Sequence, residues 1–100
     1  MEKGKPHYEL EKVKTLIRAG QYQVTEVAIQ GGWELGIKGK KAIVDFVLTL
    51  RHVNFYKRLT SNFNHKEGQD VYHAPGPDGK TVYLKFTVAK DVLITSFKEK

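Results

Sequence analysis

The strongest constraint on how this chain folds is a change of periodicity near its middle. Before it, apolar residues recur at helical spacing: Leu10, Val13, Leu16 and Ile17 mark one amphipathic stretch, and Ile43, Phe46, Val47 and Leu50, at i, i+3, i+4 and i+7, mark a second. After it, residues 81–89 and 92–99 are rich in β-branched and aromatic side chains, residues 69–73 form a shorter strand candidate, and Pro75-Gly76-Pro77-Asp78-Gly79 is dense turn chemistry. Helices first and strands later predict a single α+β domain over 1–100, with N-terminal helices packed on a C-terminal antiparallel sheet arranged as a meander.

Local signals refine this outline. A first helix is expected over about 8–19, closed by Gly20, with Glu9 and Glu11 ahead of Lys14 and Arg18 as the helix dipole prefers. Thr25 suits an N-cap, but Gly31 and Gly32 each cost about 1 kcal/mol inside a helix, so a short or broken helix is expected before Gly36. Residues 21–24 read as an edge strand or a linker. A third helix is expected over about 40–50. Val53, Tyr56 and Leu59, at three-residue steps, extend the helical pattern toward Ser61, and Ser61-Asn62-Phe63-Asn64 reads as loop.

The last two strands allow a register to be derived. With Lys90-Asp91 as a two-residue turn, one face carries Leu84 opposite Phe97, Phe86 opposite Thr95 and Val88 opposite Leu93, which is a core face. The other carries Tyr83 opposite Lys98 and Lys85 opposite Ser96, with Thr87 and Ile94 at its inner end. Two ammonium groups beside a phenol form a suitable phosphodiester site, although lysine and tyrosine are also common on solvated sheet faces.

Charge points the same way. The chain carries a formal net charge of +6, and residues 51–100 hold nine lysines and arginines against five acids. Such a balance favours polyanions: RNA, DNA or an acidic protein. Several classes of chemistry are excluded or disfavoured. The chain has no cysteine, hence no disulfide, thiolate zinc site or cysteine nucleophile. His7, His52, His65 and His73 show no metal-ligand spacing, no phosphate-cradling glycine loop precedes a helix, and Ser61 and Ser96 sit in no nucleophile elbow. No metal and no cofactor are expected, and Asp70 and Asp91 read as turn or surface residues rather than an acid/base pair. No apolar run approaches the ~20 residues of a membrane helix. No secretory core follows Met1-Glu2-Lys3-Gly4-Lys5-Pro6, so no membrane association and a cytoplasmic location are expected.

At Asn54-Phe55-Tyr56-Lys57, Gln69-Asp70-Val71-Tyr72, Val82-Tyr83-Leu84-Lys85 and Asp91-Val92-Leu93-Ile94-Thr95-Ser96-Phe97-Lys98-Glu99-Lys100, the chain resembles the motility quorum-sensing regulator (MqsR) toxins. Met1-Glu2-Lys3, Pro6-His7, Ala19-Gly20-Gln21 and Glu34-Leu35-Gly36 carry the same resemblance, which is thin through 22–33 and 37–53. It implies a RelE-like fold and metal-free, sequence-selective cleavage of mRNA by a type II toxin. It also implies neutralisation by a cognate antitoxin, a DNA-binding repressor whose complex with the toxin acts on its own operator. The resemblance maps catalytic roles onto Lys57, Gln69, Tyr83 and Lys98, and RNA contacts onto Tyr56 and His73, beside Lys85 of the derived face. Leu59 stands where the family's best-known member has Met, and His73 where it has Arg, so base preference does not carry over. Simple alternation turns Gln69 inward beside Val71 unless a bulge intervenes, leaving its role to the resemblance alone. The rival reading from another class is a basic module that binds RNA or DNA without cutting it.

Overall fold

The computed structural model describes residues 4–60 and 68–100. The elements run α1 (Leu10–Arg18), β1 (Tyr22–Val24), α2 (Glu26–Glu34), α3 (Lys40–Val47), β2 (Phe55–Leu59), β3 (Gln69–Pro75), β4 (Thr81–Val88) and β5 (Val92–Glu99). The strands form one sheet in the order β1-β5-β4-β3-β2. This is the expected α+β arrangement, with one amendment. Residues 21–24 are an edge strand, and β1 runs parallel to β5, pairing Tyr22 with Val92 and Val24 with Ile94, so the sheet is mixed rather than a pure antiparallel meander.

The core lies on one sheet face. Leu10, Val13 and Ile17 of α1 and Ile43, Val44 and Val47 of α3 pack with Tyr72, Leu84, Phe86, Ile94 and Phe97 of the sheet. Phe46 meets Phe97 edge-on at 5.5 Å, a geometry that aromatic quadrupoles favour. The α2 glycines do not break the helix. Thr25 Oγ1 accepts from the Ala28 N–H at 3.2 Å and caps it, while a Cβ on Gly31 would collide with the Phe97 carbonyl oxygen and one on Gly32 would press on Ile43. Close approach of α2 to β5 at Gly31, and to the Ile37 carbonyl oxygen and α3 at Gly32, therefore requires glycine at both positions, and it outweighs the loss of helix propensity.

Two expectations are corrected. The helical pattern through 49–61 does not hold. α3 ends at Val47, a single 3-10 turn covers His52–Asn54, and β2 follows. Val53, whose spacing suggested a continuing buried face, is 69% exposed. A bulge between Phe55 and Lys57 breaks the alternation that would have marked the strand. Asp70 is not a surface residue either. It is fully buried, and its two carboxylate oxygens accept the N–H groups of His7 at 2.8 Å and Tyr8 at 3.0 Å, tying the N-terminal segment across β3. Burial raises its pKa above the ordinary value against the opposing pull of those hydrogen bonds. The Tyr8 hydroxyl and Thr87 Oγ1 both donate to the Gly68 carbonyl at 2.8 Å, fixing the chain just ahead of Gln69. The loop expected at Ser61-Asn62-Phe63-Asn64, together with His65 and Met1-Glu2-Lys3, lies outside the described residues.

The β4–β5 register holds at its far end and slips near the turn. Tyr83 pairs with Lys98, Leu84 with Phe97 and Lys85 with Ser96 as expected, but Phe86 then faces Ile94 and Val88 faces Val92. The turn spans three residues, with the Ala89 N–H on the Asp91 carbonyl, rather than the two assumed. Thr95 becomes an extra, unpaired residue on β5, and Ile94 and Val92 enter the core in place of Thr95 and Leu93. Burying two β-branched aliphatic side chains instead of a hydroxyl is the physical preference behind the slip.

Candidate active site

The sheet face opposite the core gathers the residues singled out from sequence. On β4 it carries Tyr83 and Lys85. His73 pairs with Tyr83 and Val71 with Lys85 from β3, and Lys98 and Ser96 stand opposite the same two residues from β5. Lys57 of β2 pairs with Val71 on the far side. Lys57, Tyr83 and Lys98 thus lie on three strands of one face: Tyr83 and Lys98 sit one step from the core residues Leu84 and Phe97, and the bulge after Phe55 turns Lys57 to the same side.

Gln69 joins them. Core-facing residues of β3 are Asp70, Tyr72 and Ala74, so Gln69 does lie on the side of Val71, but that side is the outer one. The inward orientation expected for Gln69 is therefore corrected. The apolar side chain of Val71 suggests an inward face, and Val71 is indeed fully buried, but it lies on the outer face between Lys57 and Lys85 on the neighbouring strands.

Aromatic contacts organise one edge of this face. The bulge places Tyr56 over His73, rings stacked at 4.1 Å and 19°, and His73 lies 5.5 Å from the Tyr83 ring. Lys57 Nζ sits 5.5 Å from the Tyr56 ring centroid and Lys98 Nζ 5.3 Å from that of Tyr83, both within cation–π range. Lys57, Lys85 and Lys98 form no ion pair among the described residues, where the salt bridges join Lys12 to Glu9, Lys14 to Glu11 and Lys41 to Asp45. None of the outer residues named on β2 to β5 is acidic. The face is an uncompensated cationic surface with exposed π-systems, suited to phosphate oxygens and unstacked bases. Among the described residues, no group of three histidine, aspartate or glutamate side chains converges as metal ligands, and no helix is long and apolar enough to cross a membrane.

His73 is tuned by this setting. Burial first, then the charges of Lys100 and Lys57, lower its pKa below the ordinary value of 6.5. A lowered native pKa means that the unfolded chain binds the proton more readily, so stability present above pH 6.5 is lost as pH falls through that value. Exchanging His73 for asparagine is expected to flatten the decline of Tm between pH 7.5 and 5.5; superimposable pH profiles would contradict it.

The structure also brings to this face Thr95, which the residue spacing assigns to the core. Its hydroxyl lies 2.5 Å from Gln69 Oε1, reaching across β4 from the bulge. The available signal was a polar residue at a position that a two-residue turn assigned to the core.

Residues 5–99 match the protein family described as motility quorum-sensing regulator, toxin of MqsA. The chain is also 43% identical, over the full length of both proteins, to the mRNA interferase toxin MqsR of Escherichia coli (strain K12).

Proposed function

The chain belongs to the motility quorum-sensing regulator toxin family, and from that premise we propose that its lysine- and tyrosine-bearing sheet face is the active site of an endoribonuclease that cleaves mRNA as the toxin of a toxin–antitoxin pair. The observation that carries the site is the convergence of Lys57, Gln69, Tyr83 and Lys98 on one face with no carboxylate among the named outer residues.

The chemistry follows from what such a face holds. Attack of a ribose 2′-oxygen on the adjacent phosphorus forms a new P–O bond and breaks the bond to the 5′-oxygen. The 2′ proton goes to a base and the departing 5′-oxygen takes one from an acid, leaving a 2′,3′-cyclic phosphate and a 5′-hydroxyl. Charge accumulates on the non-bridging oxygens in the transition state, where the ammonium groups of Lys57 and Lys98 offset it. Tyr83 and the lysines supply the groups able to move protons, and Gln69 orients the substrate. Tyr56 and His73 offer the stack for a base, and Lys85 an additional phosphate contact. DNA, lacking the 2′-hydroxyl, is not a substrate by this route.

Toxicity in this reading is arrest of translation, checked by an antitoxin encoded with the toxin. That antitoxin is a DNA-binding repressor, its complex with the toxin acts on its own operator, and the toxin works in the cytoplasm. The test is incubation of the purified protein with a defined mRNA in excess EDTA. Discrete cuts with cyclic or 3′-phosphate ends, abolished by 2′-deoxy substitution at the cut, are expected. Salt-sensitive RNA binding without cutting, also in the presence of ribosomes, would overturn the nuclease reading.

A further inference from the structure

We propose that Thr95 is a positioning residue that holds the Gln69 carboxamide with its oxygen turned toward β5 and its NH2 group presented to the RNA, so that Gln69 serves as a hydrogen-bond donor to the scissile phosphate. The inference rests on the reading of this sheet face as the active site.

Three observations converge on it. Thr95 is the residue that the β5 bulge leaves without a cross-strand partner, which frees its side chain from the strand's alternation. The bulge is anchored from outside the sheet. Thr25, the cap of α2, donates its hydroxyl to the Thr95 carbonyl at 3.3 Å, and its N–H bonds the Ile94 carbonyl at 3.1 Å. Lastly, Thr95 Oγ1 lies 2.5 Å from Gln69 Oε1.

That distance decides the orientation of the amide. A separation near 2.5 Å belongs to O–H···O hydrogen bonds and is too short for N–H···O. The hydroxyl has a single proton, and its other acceptor, the Lys85 carbonyl, lies farther off at 3.3 Å. Thr95 therefore donates to the amide oxygen, and the two N–H donors of Gln69 point away from it. Gln69 precedes by two positions on the same face Val71, which Lys57 and Lys85 flank, and a donor pair next to those ammonium groups complements a phosphate oxygen. The reverse orientation would aim a carbonyl lone pair at an anion.

The test is a double-mutant cycle read by single-turnover cleavage of a defined RNA, with wild type, Thr95→Val, Thr95→Ser, Gln69→Ala and Thr95→Val/Gln69→Ala. Valine is isosteric and suits a strand, so the fold is preserved. Losing the orienting bond should lower the cleavage rate about fivefold, the worth of a typical net hydrogen bond, with little change in KM. Thr95→Ser should retain the wild-type rate. Gln69→Ala should lose more, and adding Thr95→Val to it should change nothing further. In parallel, the side-chain amide resonances of Gln69 should shift in Thr95→Val and not in Thr95→Ser, a readout independent of turnover. Equal losses from Thr95→Val with and without Gln69 would make Thr95 merely structural and overturn the inference, while the active site would stand. Wild-type rates for both Gln69→Ala and Lys98→Ala would overturn the active site itself, and the inference with it.

Discussion

Lys98→Ala is expected to slow RNA cleavage by about 10²–10³-fold while leaving the fold intact, the loss that follows from removing one preorganised charge from a site of transition-state anion stabilisation. The side chain is exposed, its ammonium lies over the Tyr83 ring, and it has no ion pair among the described residues. Little stability therefore depends on it. Its departure from the face should also reduce the salt dependence of RNA binding by about one released counterion. Tyr83→Phe provides the contrast, because it keeps the ring that touches His73 and Lys98 and removes only the hydroxyl. Should that hydroxyl transfer a proton, the rate falls by about 10²-fold or more with binding unchanged. Single-turnover cleavage of an end-labelled RNA, beside circular dichroism of each variant, checks both; a Lys98→Ala protein cutting at full rate would remove Lys98 from the site.

The second large effect arises at Gly31 and concerns stability as well as the site. Helix propensity alone predicts that Gly31→Ala stabilises α2 by about 1 kcal/mol. Geometry opposes it. The added methyl would collide with the Phe97 carbonyl oxygen and lie 3.3 Å from the Lys98 Cβ. A backbone oxygen held in a sheet cannot yield as a flexible side chain would, so α2 must lift from β5. Overpacking of this kind costs about 1–3 kcal/mol and outweighs the propensity gain for alanine, more so for valine. For a domain of this size each 1 kcal/mol lost lowers Tm by roughly 4–8 °C, and cleavage should fall with it, because the strand displaced carries Lys98. Gly20→Ala is the control. There a Cβ meets nothing within 4 Å, and the cost is confined to the positive φ of 79°, about 1–2 kcal/mol. A rise in Tm for Gly31→Ala would show that α2 does not press on β5 as described.

Much of this arrangement was legible in the residues. α1 and α3 declare themselves because a helix buried on one side repeats its apolar residues every three or four positions, and Leu10, Val13 and Ile17 are indeed the buried ones. Tyr83 and Lys98 could be paired from the spacing of a two-residue turn, and the pairing holds because the extra residue at the bulge, Thr95, offsets the extra residue in the three-residue turn. β2 was not legible. Its bulge sets Tyr56 and Lys57 against β3 out of alternation, and the resulting three-residue steps imitate a helix.

The class of the fold, the two clear helices and the cationic balance follow from the residues alone, because they depend on composition and on neighbours close along the chain. Packing across the folded chain set the parallel edge strand β1, the burial of Asp70 against His7 and Tyr8, the side of the sheet taken by Gln69, and the bulge that brings Thr95 to it. These contacts reach as far as 70 positions along the chain, and the choice of partner is made by burial and hydrogen bonding across the assembled sheet. A bulge shows the reason most plainly. One residue more or less on a strand exchanges its faces, and only the packing of Ile94 and Val92 into the core selects between the two.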